Sequence, residues 1–185
     1  MVEVIKGRKI TKLDVDGNQI SGKPLAALLQ VVPVSKLSIV HKKLSDQQVD
    51  PIKQNMMATK NLKILHISHN QLSDKSIGML AEGIAANVGI DEIQFTHNDL
   101  SLPNGIKFMQ SLANLPNLKK LCLNSCNLHV PCLEALKAAL EKNTELQELN
   151  LYSNEIDAEG AQIIAQILVS KEKLKTLGLS NNIIG

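Results

Sequence analysis

Three histidines, His41, His69 and His97, recur with a constant 28-residue period, and His66 sits shortly before the second of them. In a chain that coils once per period, such imidazoles stack and could ligate zinc or titrate near neutral pH. The same position also holds Gly17, Ser125, Ser153 and Asn181, which marks a solvated turn that tolerates small and polar residues. Zinc draws its ligands from several directions, so the turn is the stronger reading and no metal site is assigned. Three cysteines, Cys122, Cys126 and Cys132, crowd into one segment. By repeat register Cys126 faces the interior, Cys132 sits where turn meets helix and Cys122 faces outward. That makes them structural thiols, of which only Cys122 should meet reagents. Gly17 to Lys23 fits GxxxxGK between a strand and a helix, but Pro24 stands where the magnesium-binding hydroxyl belongs. Asn18 and Ile20 are committed to the core, so no loop is free to cradle phosphate. No nucleophile with its base, paired acid motif or glycine cradle remains. The chain is read as having no catalytic residues, no enzymatic activity and no cofactor.

The elements that position these residues are repeats. Leu146, Leu149, Leu151, Asn154 and Ile156 form LxxLxLxxNxI. Backward steps of the same period return Leu118, Leu121, Leu123, Cys126 and Leu128, then Ile90, Ile93, Phe95, Asn98 and Leu100. Further copies are Leu62, Leu65, Ile67, Asn70 and Leu72, and Leu174, Leu177, Leu179, Asn182 and Ile184. A first copy at Ile10, Leu13, Val15, Asn18 and Ile20 is followed, after a shorter step, by Val34, Leu37, Ile39 and Leu44. The helix between them, over 23–32, must be short, with Pro33 ending it. An Asn amide both donates and accepts, so Asn18, Asn70, Asn98, Asn154 and Asn182 can satisfy inward-turned peptide groups as a ladder, with Cys126 replacing one rung. Lys42 holds the rung of the second repeat and cannot accept, which predicts an altered turn with its ammonium reaching water. Pro51 predicts that the second helix starts near Asp50-Pro51.

After each strand an apolar stripe follows at helical spacing. It reads Val49, Ile52 and Met56; Ile77, Leu80 and Ile84; Gly105, Phe108 and Leu112; Leu133, Leu136 and Leu140; Ala161, Ile164 and Leu168. Small residues, Ser76, Asn104, Cys132 and Gly160, precede it and suit a close approach of turn to helix. Each unit is then a parallel strand, a turn and a helix. Because helices are ~10 Å wide and strands pair at ~4.8 Å, the stack bends with its sheet inside. The expected fold is an α/β leucine-rich repeat solenoid, a horseshoe segment of about 6.5 repeats in one domain over 1–185, starting near 10, 34, 62, 90, 118, 146 and 174. These residues resemble the ribonuclease-inhibitor-like class of leucine-rich repeats, which includes NOD-like receptors, Ran GTPase-activating protein and tropomodulin. The resemblance implies a scaffold or regulatory segment that binds another protein or peptide. Its alternatives are a GTPase-activating or other enzyme-regulating domain and an actin-capping domain. Arg8 is the only Arg among 20 basic residues, which argues against an arginine finger.

Alternation places three columns on the concave face. The first is Lys12, Lys36, Ile64, Glu92, Lys120, Glu148 and Thr176. The second is Asp14, Ser38, His66, Gln94, Cys122, Asn150 and Gly178, and the third is Asp16, Val40, Ser68, Thr96, Asn124, Tyr152 and Ser180. From these, Lys36, Ile64, His66, Glu92, Gln94, Thr96, Lys120, Asn124, Glu148, Asn150 and Tyr152 are the candidate partner-binding residues. Tyr152, the lone aromatic among them, is the best anchor. The net charge of +2 is too small for a nucleic-acid groove. No apolar run spans a membrane, and three thiols without a signal-like segment point to the cytoplasm, or the nucleus. Leu177 and Leu179 should lie in an uncapped edge strand, which suggests a longer solenoid or end-to-end self-association.

Overall fold

Each strand begins where a branched or long apolar residue alternates with polar ones, and each ends at an inward turn shortly after. The computed structural model describes residues 10–18, 20, 22–40 and 43–185. Arg8, His41 and Lys42 lie outside these, so the altered turn read from Lys42 does too. The strands are β1 Lys12–Asp14, β2 Lys36–Ser38, β3 Ile64–His66, β4 Glu92–Gln94, β5 Lys120–Cys122, β6 Glu148–Asn150 and β7 Thr176–Gly178. They form one parallel sheet in chain order. The helices α1 Gly22–Val31, α2 Asp46–Thr59, α3 Asp74–Ala85, α4 Pro103–Ser111, α5 Val130–Leu140 and α6 Ala158–Leu168 cover one face of it. The central strand residues Leu37, Leu65, Ile93, Leu121 and Leu149 are at most 1% exposed and pack toward the helices. Their neighbours on either side are turned to the opposite, concave face.

The asparagine ladder is present and has a direction. Asn98 Nδ2 donates back to Ile67 O at 3.0 Å and to its own Phe95 O at 2.9 Å, and its Oδ1 accepts the Asn70 N–H at 3.2 Å. Asn154 repeats the scheme, donating to Leu123 O at 2.8 Å and accepting the Cys126 and Leu128 N–H groups at 2.8 and 3.4 Å. Asn182 does the same to Leu151 O, Asn154 N and Ile156 N. Each amide therefore stitches its repeat to the one before. Asn18, with no described rung before it, is exposed, and among the described residues its amide donates to Val15 O and Asp16 O within its own turn.

Three sequence expectations are corrected. First, α2 starts at Asp46 and not at Asp50-Pro51. Ser45 and Gln48 form a capping box, in which Gln48 Oε1 accepts the Ser45 N–H at 2.9 Å. Pro51 lies inside the helix and leaves the carbonyl of Gln47, one turn back, without its helical donor. A Cβ on Gly22 would lie 2.6 Å from that oxygen, so only glycine lets the start of α1 close on it. Second, α4 begins one position late because Pro103 takes its first turn. The close approach in that repeat is therefore at Gly105, where a Cβ would meet Leu100 O at 1.9 Å, and not at Asn104. Third, the buried face of α6 is Gly160, Ile163, Ile164 and Ile167, with Ala161 and Leu168 half-buried, because no described helix stacks on its outer side.

The turn position that holds His69 and His97 is left-handed. Gly17, His69, His97, Ser125, Ser153 and Asn181 all have φ between 51° and 70° there. A second left-handed site, just beyond the first, holds Lys43, Gln71, Asn127 and Glu155. Only glycine adopts this conformation without strain. Replacing exposed Glu155 with Gly should therefore stabilise the fold by up to ~1 kcal/mol. Asn154→Ala, which strands buried carbonyl and N–H groups, should destabilise by ~3 kcal/mol, whereas Asn18→Ala should cost under ~1 kcal/mol. Urea midpoints of the three variants check all three values.

Candidate functional site

Strand pairing places the concave columns as the repeat register predicts. Lys36, Ile64, Glu92, Lys120, Glu148 and Thr176 are successive partners, and so are Ser38, His66, Gln94, Cys122, Asn150 and Gly178. Side chains at alternate positions of one strand share a face, and here they pair. Gln94 Nε2 donates to Glu92 Oε1 at 3.0 Å, and His66 Nε2 reaches the same oxygen at 2.7 Å. Only 15% of the His66 side chain and 18% of the Glu92 side chain are exposed, so the imidazole and carboxylate are fixed. On the next pair of strands Asn150 Nδ2 donates to Glu148 Oε1 at 2.7 Å and lies 3.6 Å from Cys122 Sγ. Lys120, half in solvent, is 3.9 Å from Glu148. The face thus carries two polar clusters with their carboxylates held by neighbouring amides.

Tyr152 is 42% exposed, and its hydroxyl accepts from Asn181 Nδ2 at 2.6 Å. Its ring is therefore held upright over the end of the face. The Tyr152 N–H donates to Asn124 Oδ1 at 3.0 Å, so Asn124 has a structural task that its place in the column does not reveal. Asp16 does the same at the other end, accepting from Val40 N and Ser38 Oγ. Lys36, Ile64 and Thr96 are half-buried within the sheet surface. Ser38 and Ser68 are buried and display nothing.

The thiols point three ways and none is in a disulfide. Cys126 is in the ladder, and burial pushes it up to about 12 against backbone hydrogen bonds from Asn98 and His97. Cys132 donates to Leu100 O at 3.2 Å, and burial raises it to about 11. Cys122 is half-buried on the concave face. Its thiol is pushed above the ordinary value chiefly by burial and further by Glu148 and Glu92, while Asn150 and Lys120 act in the opposite direction. The rings of His69 and His97 lie 4.2 Å apart, tilted by 30°. Among the described residues no group of three or more His, Cys, Asp or Glu side chains could hold a metal. Gly22 and Lys23 open α1 against Gln47, and Gln48 Nε2 donates to Ile20 O. Among the described residues of the GxxxxGK stretch, Ile20 and Gly22 thus meet the second repeat.

Sequence reasoning missed a second amide line at the helix-to-strand corner. Asn143 Nδ2 donates to the carbonyls of Leu115, Pro116 and Leu118, and its Oδ1 accepts the N–H groups of Glu145 and Leu146. Asn87, at the same repeat position, donates to Met56 and Gly83. The signal in the sequence is an Asn at the same place in two repeats that are not adjacent, with Leu115 at that place in the repeat between them.

A family model described as leucine-rich repeat matches residues 60–81 and 142–165, within the third repeat and across the fifth and sixth. The chain is a leucine-rich repeat solenoid. No curated protein matches it in sequence. Among solved structures, an internalin from Listeria monocytogenes aligns over 100% of this chain and 84% of its own, at 13% identity and a TM-score of 0.29. So distant a likeness bears on nothing further. In the native solenoid one thiol, Cys122, should react with a thiol reagent, and all three should react after unfolding. Because its thiol is raised, the thiolate is scarcer at neutral pH than in a free cysteine. The native rate should therefore keep climbing as pH passes the ordinary thiol range, which stopped-flow alkylation between neutral and alkaline pH measures.

Proposed function

We propose that this solenoid is a non-enzymatic protein-interaction module that binds a protein or peptide partner on its concave sheet. The observation that carries this reading is the display of fixed polar groups in register across one open sheet face, with an exposed tyrosine at its end. His66, Glu92, Gln94, Glu148 and Asn150 are held by their neighbours, so a partner meets them with little side-chain freedom left to lose. Tyr152 supplies the large, rigid contact that binding faces favour. Lys36, Ile64, Thr96, Lys120 and Asn124 form the surrounding surface. The even repeat length from the second repeat onward, with convex helices of 9 to 14 residues, supports placing it in the ribonuclease-inhibitor-like class. Three free thiols support a reducing setting, the cytoplasm or nucleus. Among the described residues no helix is long and apolar enough to cross a membrane.

Affinity capture with the wild type and with a Tyr152→Ala, His66→Ala, Gln94→Ala variant tests the reading, with Lys107→Ala on the convex side as a control. The triple variant should lose at least ~90% of the captured partner, equivalent to more than ~1.4 kcal/mol, while its circular dichroism stays unchanged and the control binds normally. Capture that survives the triple substitution would move the site off the concave face. The groove of about 1070 Å³ along α3, lined by Asp46, Lys53, Asp74 and Lys107, would then be the next surface to test.

A further inference from the structure

The helix-to-strand corners hold one side chain that neither the core nor the concave face uses. Asn87, Leu115, Asn143 and Lys171 occupy the same repeat position. At Asn143 the side-chain amide enters the corner and donates to the carbonyls of Leu115, Pro116 and Leu118. At Lys171 the backbone turn is kept, with the Leu174 N–H donating to Lys171 O at 3.0 Å, but an ammonium stands in place of the amide. Lys171 is 6% exposed. A lysine just past a helix commonly reaches the last helical carbonyls. Here, among the described residues, Lys171 Nζ donates to Ser170 Oγ at 2.8 Å and to no carbonyl. An ammonium can donate more than once, so part of its capacity is unused.

Its charge is not balanced either. Lys53, Lys75, Lys120, Lys137 and Lys173 each lie within ion-pairing distance of a carboxylate, and among the described residues none does so for Lys171. Buried cations are ordinarily paired, and burial without a partner disfavours the charged form. Burial alone accordingly holds the Lys171 amine below the ordinary lysine value. A cavity of about 360 Å³ opens beside it at the C-terminal ends of α5 and α6, lined by Lys137, Glu141, Gln166 and Ser170 over an apolar floor of Ala138 and Ile167. Lys137 Nζ, paired with Glu134, donates to Gln166 Oε1 at 3.1 Å. That leaves Gln166 Nε2 without a protein acceptor among the described residues.

We propose that Lys171 is a covalent modification site for carbon dioxide, its amine adding to the carbon to form a carbamate beside this cavity. The ammonium first gives a proton to water. The nitrogen lone pair then attacks the CO2 carbon, one C=O π pair moves onto oxygen, and a second N–H proton passes to water. A cation and CO2 thus become an anion and two protons, with no oxidant or reductant. Carbon dioxide is linear, uncharged and small, so it reaches a buried amine that a bulky acyl donor would not. The new carboxylate meets donors that the ammonium cannot use: Gln166 Nε2, the Lys137 ammonium and the Ser170 hydroxyl, which switches from accepting to donating. Glu141 is the lining group that opposes it. Addition reverses the charge at the corner where the sixth repeat leads into the seventh. None of this rests on the concave-face reading.

Carbamate trapping on the free protein tests the site without any partner, so its failure leaves the binding proposal untouched, and the reverse holds. The native protein is equilibrated with isotopically labelled bicarbonate, its carbamates are fixed with a trialkyloxonium salt, and the labelled positions are mapped by mass spectrometry. The α-amino group, which is ordinarily far less basic than a lysine, serves as the positive control. Lys171 should carry severalfold more label than exposed Lys23 and Lys107, and unfolding before trapping should abolish that excess. Glu141→Gln, which removes the opposing charge at an exposed position, should raise the label at Lys171 relative to Lys23. Label at the α-amino group without an excess at Lys171, or an excess that survives unfolding, overturns the proposal. So does a folded Glu141→Gln variant with unchanged or lower label at Lys171.

Discussion

An amide that donates and accepts at once is what allows this chain to turn inward. After each strand the backbone leaves the sheet and enters the interior, where its peptide groups have neither a helix nor a strand to pair with. Leaving such groups unpaired costs ~1–3 kcal/mol each, repeated at every turn. Asn70, Asn98, Asn154 and Asn182 meet that demand with one side chain apiece. Because each also reaches the carbonyl of the preceding repeat, the same bonds that close one turn fix its distance from the last. Strand register follows, and with it the columns on the concave face.

Support and display are therefore interleaved along every strand. Leu149 and Leu151 are fully buried, while Glu148, Asn150 and Tyr152 between and beside them meet solvent. The division is not complete. Asn124 is displayed yet holds the Tyr152 backbone, and Cys122 lies among exposed groups yet is half-buried by them. Residues with both tasks are where binding and stability are coupled. They also lie beside the junction where the ladder changes from amide to thiol.

The period and the column register were legible in the sequence because every repeat from the second onward has the same length, which leaves one way to align parallel strands, and the signature residues fix the shorter first step. Other features were not. Ser45 and Gln48 spell a capping box, but Pro51 weighed more heavily, since proline inside a helix is costly; here Gly22 accommodates the carbonyl that Pro51 leaves over. The left-handed turn was hidden because His69, His97 and Ser153 look like ordinary polar surface, and Gly17 and Asn181 alone hint at positive φ. Asn87 and Asn143 went unread because they are two repeats apart, with Leu115 breaking the pattern. The one-position shift in α4 depends on Pro103 and Gly105 acting together, which spacing alone does not show. Within the candidate face, sequence placed Asn124 in the right column but could not reveal that its oxygen is already engaged.

The central claim is that this face, with Cys122 near its middle, is where the partner sits. One measurement addresses it without altering the core: attach a bulky maleimide to native Cys122 and repeat the partner capture. The account predicts that the modified, still folded protein no longer captures the partner. Undiminished capture by fully labelled protein would contradict it.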